Sequence, residues 1–361
     1  MPFQNIDAHR RRIPLGALIL AVLYSPGAWS AEARPEGAAA QREARATFDP
    51  LQPATWRAAD KLGPGGSERE ALLRDLCAPA RHGWEKALTR EEAEAILDDP
   101  RAARLYPEKT ISIVAPSMLT RQRQGHVDLL KLFLKEERVA AGAAFMAEHE
   151  KLLSEVEARH GVDREVIVSI LMWESKLGTI TGDFFAFSSF VTQAFFIDEA
   201  NAVALAQKGE QGLVGDEKQR QRVEKIRARA RSNLVVLVRV AKARGIDPLE
   251  VKGSWAGALG FPQFMPASLR WAEDGDGDGK IDLFTFADSI ASIGRYLKAH
   301  GFGPTPESQQ KAVWGYNHEE AYVKGVLGFA AALKARRATA EPPARAARPS
   351  SPPQKPKAAE R

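Results

Sequence analysis

Residues Gly161–Gly182 read GVDREVIVSILMWESKLGTITG. Ile167, Ile170 and Leu171 recur at three- and four-residue intervals and mark the apolar face of a helix. Asp163 stands where an N-cap is wanted, since its short side chain can accept from an orphan backbone N–H, and Glu165 suits the positive helix start. Gly178 and Gly182 are the expected stops. Glu174 follows Ile167 by seven residues and Ile170 by four, so it projects from the apolar face beside Met172, Trp173 and Leu177. Desolvation there disfavours the charged carboxylate and raises its pKa, as a general acid working near neutral pH requires. A glutamate in the last turn of a helix is otherwise an ordinary solvated or capping residue, so the rest of the chain has to decide its role.

At 361 residues the chain is long enough for a sizeable core, and 44% hydrophobic with 27% charged residues is an ordinary globular balance. Ala, Leu, Glu, Arg and Lys dominate and alternating strand patterns are scarce, which predicts a mainly α protein. The basic run His9–Arg12, the apolar stretch Ile13–Tyr24 and the small-residue site Ala28-Trp29-Ser30 form a signal peptide over residues 1–30. An uncleaved anchor is the alternative, but a dozen apolar residues span a bilayer poorly. No Cys follows the apolar run to take a lipid. The expected location is therefore the periplasm, soluble or peripherally wall-associated. Cys77 is the single cysteine, so no intramolecular disulfide exists, and its simplest role is a small buried apolar residue. The net charge of +5 sits in the two ends. Arg10, Arg11 and Arg12 face only Asp7 in the first 30 residues, and residues 336–361 hold seven Lys/Arg against Glu341 and Glu360. The body between is mildly acidic, which removes any case for nucleic-acid binding.

Residues 31–66, rich in Ala, Arg, Pro and Gly, read as a flexible leader. Residues 67–125 read as an N-terminal helical subdomain: SEREALLRDLC, then LTREEAEAILDD with Thr89 and Glu92 spaced as a capping box. The intervening RLYPEKTISIV suits a loop or a short strand. Helical periodicity runs from Val127 to His160, and DFFAFSSFVTQAFF (183–196) has the aromatic density of packed core. Residues 207–232 read as a loop and a solvated charged helix, and Asn233–Ala243 as a further apolar helix closed by Gly245. The Pro/Ala/basic stretch 336–361 reads as a disordered tail.

GSWAGALGFPQFMPASLRW (253–271) combines Gly257, Ala258 and Gly260, which permit close backbone approach, with Gln263 among aromatic rings. Apolar faces beside amide and hydroxyl groups suit sugar rings, and a tightly packed turn would use the same glycines. DGDGDGKIDLF (274–284) follows. Asp274, Asp276 and Asp278 occupy positions one, three and five of an EF-hand-like loop, Gly279 position six, Lys280 the carbonyl position seven, and Asp282 position nine. Thr285 replaces the bidentate Glu of position twelve. The expected occupant is a structural Ca2+ that braces the fold, with no cofactor needed for catalysis. A calcium sensor is excluded by the lack of a paired second loop.

From about Leu88 to Leu333 the chain resembles the lytic murein transglycosylase B family of peptidoglycan-cleaving enzymes. Five ordered motifs carry this: GVDREVIVSILMWESKLG, GSWAGALGFPQFMP, the Asp-rich loop, FADSIASIGRYLKAHGF and AVWGYNHEEAY. The resemblance implies a lysozyme-like helical catalytic core over 126–335 with the EF-hand-like loop inserted. It makes Glu174 the acid/base and places Ser254, Gln263, Tyr296, Tyr316 and Asn317 along the glycan cleft. Two departures bear on substrate preference. FFIDEANAV stands where the family shows Pro-Arg-Arg, so a basic contact is absent or relocated, and Glu319 stands where a Ser follows the Tyr-Asn pair, although Tyr322 is kept.

The expected reaction is cleavage of the β-1,4 bond between N-acetylmuramic acid and N-acetylglucosamine, with closure of a 1,6-anhydro ring, by a monomer acting on glycan strands. Cell-wall synthesis or remodelling proteins are the expected further partners. One carboxylate suffices because the nucleophile belongs to the substrate. A muramidase-type hydrolase would need a second carboxylate, for which Asp183 is the nearest candidate in sequence. A catalytically inert wall-binding scaffold is the reading from a different class.

Overall fold

The computed structural model describes residues 47–80, 82–115, 131–207 and 216–340. Helices run α1 (Ala58–Leu62), α2 (Ser67–Cys77), α3 (Arg90–Asp98), α4 (Pro107–Val114), α5 (Glu136–Glu148) and α6 (Glu150–His160). They continue as α7 (Arg164–Ser175), α8 (Ala186–Phe195), α9 (Ile197–Gln207), α10 (Glu217–Arg244), α11 (Phe286–Ala299), α12 (Pro306–Tyr316) and α13 (Glu320–Ala340). The strands are β1 (Phe184–Phe185) and β2 (Lys252–Gly253), paired antiparallel with Phe184 opposite Gly253. No helix of the described residues is long and apolar enough to cross a membrane. The signal peptide expected over 1–30, and the part of the expected tail beyond Ala340, lie outside the described residues.

Helix α7 is the centre. Every residue from Glu165 to Ser175 is buried, so the one-faced helix of the periodicity argument is in fact enclosed on all sides. It packs against α13, α5, α6 and α11. Asp163 occupies the N-cap position without making the cap hydrogen bond; its carboxylate instead accepts from Gln309 Nε2 at 3.2 Å and pairs with Lys334. The helix also stops earlier than its glycines suggest. Lys176 and Leu177 take φ of 47° and 55° before Gly178 at 81°, so two non-glycine residues carry left-handed backbone directly after the Glu174 turn.

Several expectations change where tertiary packing overrides local pattern. RLYPEKTISIV forms α4, with Pro107 in its first turn and Ile111, Ile113 and Val114 buried in the core. The 127–160 stretch, described from Lys131, divides into α5 and α6 at His149, whose ring lies 4.3 Å from Phe145 and 4.9 Å from Phe286. The charged segment and the apolar segment after it are one 28-residue helix, α10, in which Val223, Ile226 and Ala230 are buried. The leader expected over 31–66 is folded from residue 47 onward: Trp56 is buried and stacks on Phe196 at 5.6 Å, and α1 packs on α2 and α8. Helix α13 likewise continues to Ala340, into the stretch assigned to the tail.

The Thr89–Glu92 capping box forms as expected, Glu92 N donating to Thr89 Oγ1 at 3.2 Å and Thr89 N to the Glu92 carboxylate at 3.0 Å. The aromatic segment is core: all ten residues of α8 are buried, and the helix packs along α10. Cys77 is half-buried and free.

Candidate active site

Glu174 comes from the last turn of α7, with only 1% of its surface exposed. Neither of its carboxyl oxygens has a hydrogen-bond partner, and burial pushes the pKa up to about 8. The Tyr322 hydroxyl, from α13, lies near enough to offset that shift in part, although the two groups do not meet hydrogen-bond geometry. Tyr316, at the end of α12, also feels the Glu174 charge, and both phenols are raised well above their ordinary pKa, chiefly by burial. A neutral carboxyl held by the low dielectric alone is poised to donate a proton.

The other residues proposed from sequence are buried around the same turns. Gln263 sits at φ 50°, its amide N donating to Gly260 O at 2.8 Å and Thr181 O at 3.2 Å while its amide oxygen is left unpartnered. Ser254 Oγ accepts from Ala258 N at 3.1 Å and holds the turn in which Gly257 approaches Phe190. Tyr316 donates to Pro262 O at 2.5 Å, and Tyr296 to Gly315 O at 2.7 Å. Tyr296 and Tyr316 are 4.9 Å apart, ring to ring. Asn317 is buried with its side-chain oxygen unpartnered. Glu174, Tyr322, Gln263 and Asn317 thus each keep a buried oxygen that no described residue satisfies. Buried polar atoms are rarely left so in a finished fold, and water or a hydroxyl- and amide-rich ligand would satisfy them.

Asp183 is not part of this group. It is exposed and pairs with Lys252 at 2.5 Å. The FFIDEANAV segment is committed elsewhere too, Glu199 pairing with Lys61 at 2.8 Å and Asp198 with Arg227 at 2.6 Å.

Residues 80–346 match the family model described as the transglycosylase SLT domain. The chain belongs to the transglycosylase SLT family. A curated relative, the membrane-bound lytic murein transglycosylase B of Escherichia coli (strain K12), is 30% identical over 173 residues, which span 48% of this chain and 41% of the relative. The match thus spans about two fifths of that relative's length. Among solved structures, an Escherichia coli lytic transglycosylase in complex with bulgecin A superposes with a TM-score of 0.57 at 20% identity, covering 81% of this chain and 100% of that one. The same enzyme in complex with calcium gives 0.56 at 19%, again over 81% and 100%. At these identities the superpositions establish the fold. This SLT family member therefore has the mainly helical, lysozyme-like architecture that its motifs imply.

The Asp-rich loop brings Asp274, Asp276 and Asp288 together, with one carboxylate oxygen from each within 4.8 Å of the others. That spacing fits oxygen ligands around one Ca2+ at about 2.3–2.6 Å each. Asp278 and Asp282 lie outside this trio, their carboxylates accepting from Lys280 N at 2.7 Å and Phe284 N at 2.9 Å. Thr285 caps α11 through Asp288 N instead of completing the loop.

Asp288 was not legible from the loop pattern, which ends at position twelve; it lies one helical turn further, on α11. Tyr322 belongs beside the acid as well, and its retention after the Tyr316-Asn317 pair was the available signal.

Proposed function

We propose that this chain is a peptidoglycan lytic transglycosylase that cleaves the β-1,4 bond between N-acetylmuramic acid and N-acetylglucosamine. Neutral Glu174 protonates the glycosidic oxygen as the C1–O bond breaks and an oxocarbenium-like centre develops. The carboxylate so formed takes the proton from the muramoyl C6 hydroxyl, whose oxygen bonds to C1 and closes the 1,6-anhydro ring. Ser254, Gln263, Tyr296, Tyr316 and Asn317 bind the sugars, with Tyr322 facing the acid. Both carboxyl oxygens are shielded from water, so a strand must displace side chains to reach them, and that exclusion preserves the acid's proton until it is used.

The observation that carries this reading is one buried carboxyl, neutral to about pH 8, on which no second carboxylate of the described residues acts. An inverting or retaining hydrolase needs a carboxylate pair, and the salt-bridged, exposed Asp183 does not supply one. Mass spectrometry of digested peptidoglycan tests the assignment. Anhydro ends with wild type, and at least about a hundredfold slower release with Glu174→Gln, are expected; reducing ends would defeat it.

Two further readings belong here. The basic, apolar and small-residue order of residues 9–30 supports export to the periplasm. The Asp274, Asp276 and Asp288 trio supports a bound Ca2+ that ties the 274–285 loop to α11 and has no part in the reaction.

A further inference from the structure

Beside the Tyr296–Tyr316 pair lies a hollow of about 680 Å3 that does not include Glu174. Its walls are the Pro266–Trp271 turn, the C-terminal end of α11 and α12 with the residues after it. Arg270, Lys311, His300 and His318 line it together with Trp271 and Trp314, and no Asp or Glu does. That composition is unusual in a body that is mildly acidic overall. Elsewhere the arginines are mostly committed to acids: Arg69 to Asp98, Arg164 to Glu150 and Glu157, Arg231 to Asp75. Arg270 and Lys311 form no ion pair among the described residues, and the Arg270 guanidinium lies instead 3.8 Å from the Trp271 ring centroid. Trp314 is 41% exposed at the mouth, while His318 Nδ1 is buried without a hydrogen-bond partner. Cations free of acidic partners beside an accessible aromatic face recognise a ligand that carries carboxylates on an aliphatic frame.

We propose that this hollow binds the peptide stem of the murein strand, Arg270 and Lys311 engaging its carboxylates and Trp271 and Trp314 its aliphatic parts. This rests on the peptidoglycan reading above. The sugar backbone of a stem-bearing strand is nearly neutral, because each muramoyl carboxyl is tied up in the amide to the stem. Cations there would gain nothing from the glycan, whereas the stem brings several carboxylates. A shared wall puts the hollow next to the acid. Tyr296 and Gly315 line the hollow, and Tyr316, 4.9 Å from Tyr296, feels the Glu174 charge, so a strand at the acid would extend its stem into the cationic side.

The test uses full-length Glu174→Gln, which separates binding from turnover. Calorimetric titration with the free stem tetrapeptide (L-Ala, D-Glu, diaminopimelate, D-Ala) is compared with titration by the neutral N-acetylglucosamine tetramer. The tetrapeptide is expected to bind, and Arg270→Gln with Lys311→Gln to raise its Kd at least about tenfold while the tetramer's Kd stays fixed. Trp314→Ala should weaken the tetrapeptide selectively as well, with circular dichroism unchanged in every variant. Absence of tetrapeptide binding, a Kd indifferent to these substitutions, or equal weakening of both ligands would overturn the proposal. These outcomes are independent of the anhydro-product analysis: a stem site can stand without that product, and the product can form without a stem site.

Discussion

A carboxyl that keeps its proton to about pH 8 gives this fold a pH dependence opposite to that of most acids. Because the folded pKa of Glu174 lies above its ordinary 4.5, the native state binds the extra proton between those values. Stability from this residue is therefore full below about pH 4.5 and is lost as pH rises through about 8. The interval corresponds to an upper figure of about 5 kcal/mol. Glu174→Gln, which never ionises, should gain on wild type progressively between pH 5 and pH 8.5 in urea unfolding; a constant difference would show the carboxyl to be water-exposed. Tyr322→Phe works on the same balance from the other side. It removes the one group that pulls the Glu174 pKa down, so the alkaline limb of kcat/KM should move upward while turnover falls about tenfold or more for want of support to the carboxylate. At this scale Glu174 was legible because its place in the 3.6-residue repeat fixes the face it occupies. Its isolation from other charges was not legible, since it depends on α12 and α13, some 140 residues later in the chain.

The helices hold that carboxyl by close packing, and α13 presses hardest. A Cβ on Gly325 would sit 2.2 Å from the Trp173 ring, one residue before Glu174. Gly325→Ala gains about 1 kcal/mol in helix propensity, but over-packing of a filled core costs about 1–3 kcal/mol, so the net change should be destabilising. Since Trp173 would have to move, activity should fall further than the loss of stability accounts for, measured as kcat at a temperature where both proteins are folded. The Asp-rich element makes a separate prediction. Millimolar Ca2+ should raise Tm, and Asp276→Asn should shrink that increment without changing the metal-free Tm by more than about 2 °C; equal increments in both proteins would remove the trio from any metal site. Elements were readable where one local rule governed them, as at the Thr89–Glu92 box, and misread where two competed. The stretch that forms α4 suited a loop or a short strand, yet burial against α9 made it a helix, and the charges of 217–232 hid the apolar stripe that makes α10 continuous.

Across the whole molecule the hydrophobic cluster does not divide where the sequence composition changes. Trp56, Leu72, Leu73 and Leu76 belong to the same core as Ile170, Phe190 and Phe329. Polar contacts span the same line: Asp75 with Arg231 at 2.7 Å, Glu92 with Lys242, and the Ala78 carbonyl accepting from Arg239 at 3.0 Å. Helix α10 is the common surface, taking α2 and α4 at its sides and α8 along its length. A chain cut after residue 115 would strip that helix and α8 of apolar neighbours, and Phe196 would lose its stack with Trp56. Each apolar side chain so uncovered loses about 1.5–3 kcal/mol of burial, and a few of them equal the net stability of a typical domain. The stretch from 47 to 115 should accordingly unfold together with the remainder, so tryptophan fluorescence and far-ultraviolet circular dichroism should give coincident urea transitions. A second transition, carrying the signal of Trp56 and Trp84 alone, would instead mark an independent N-terminal unit whose contacts with α10 contribute little to the stability of the catalytic half.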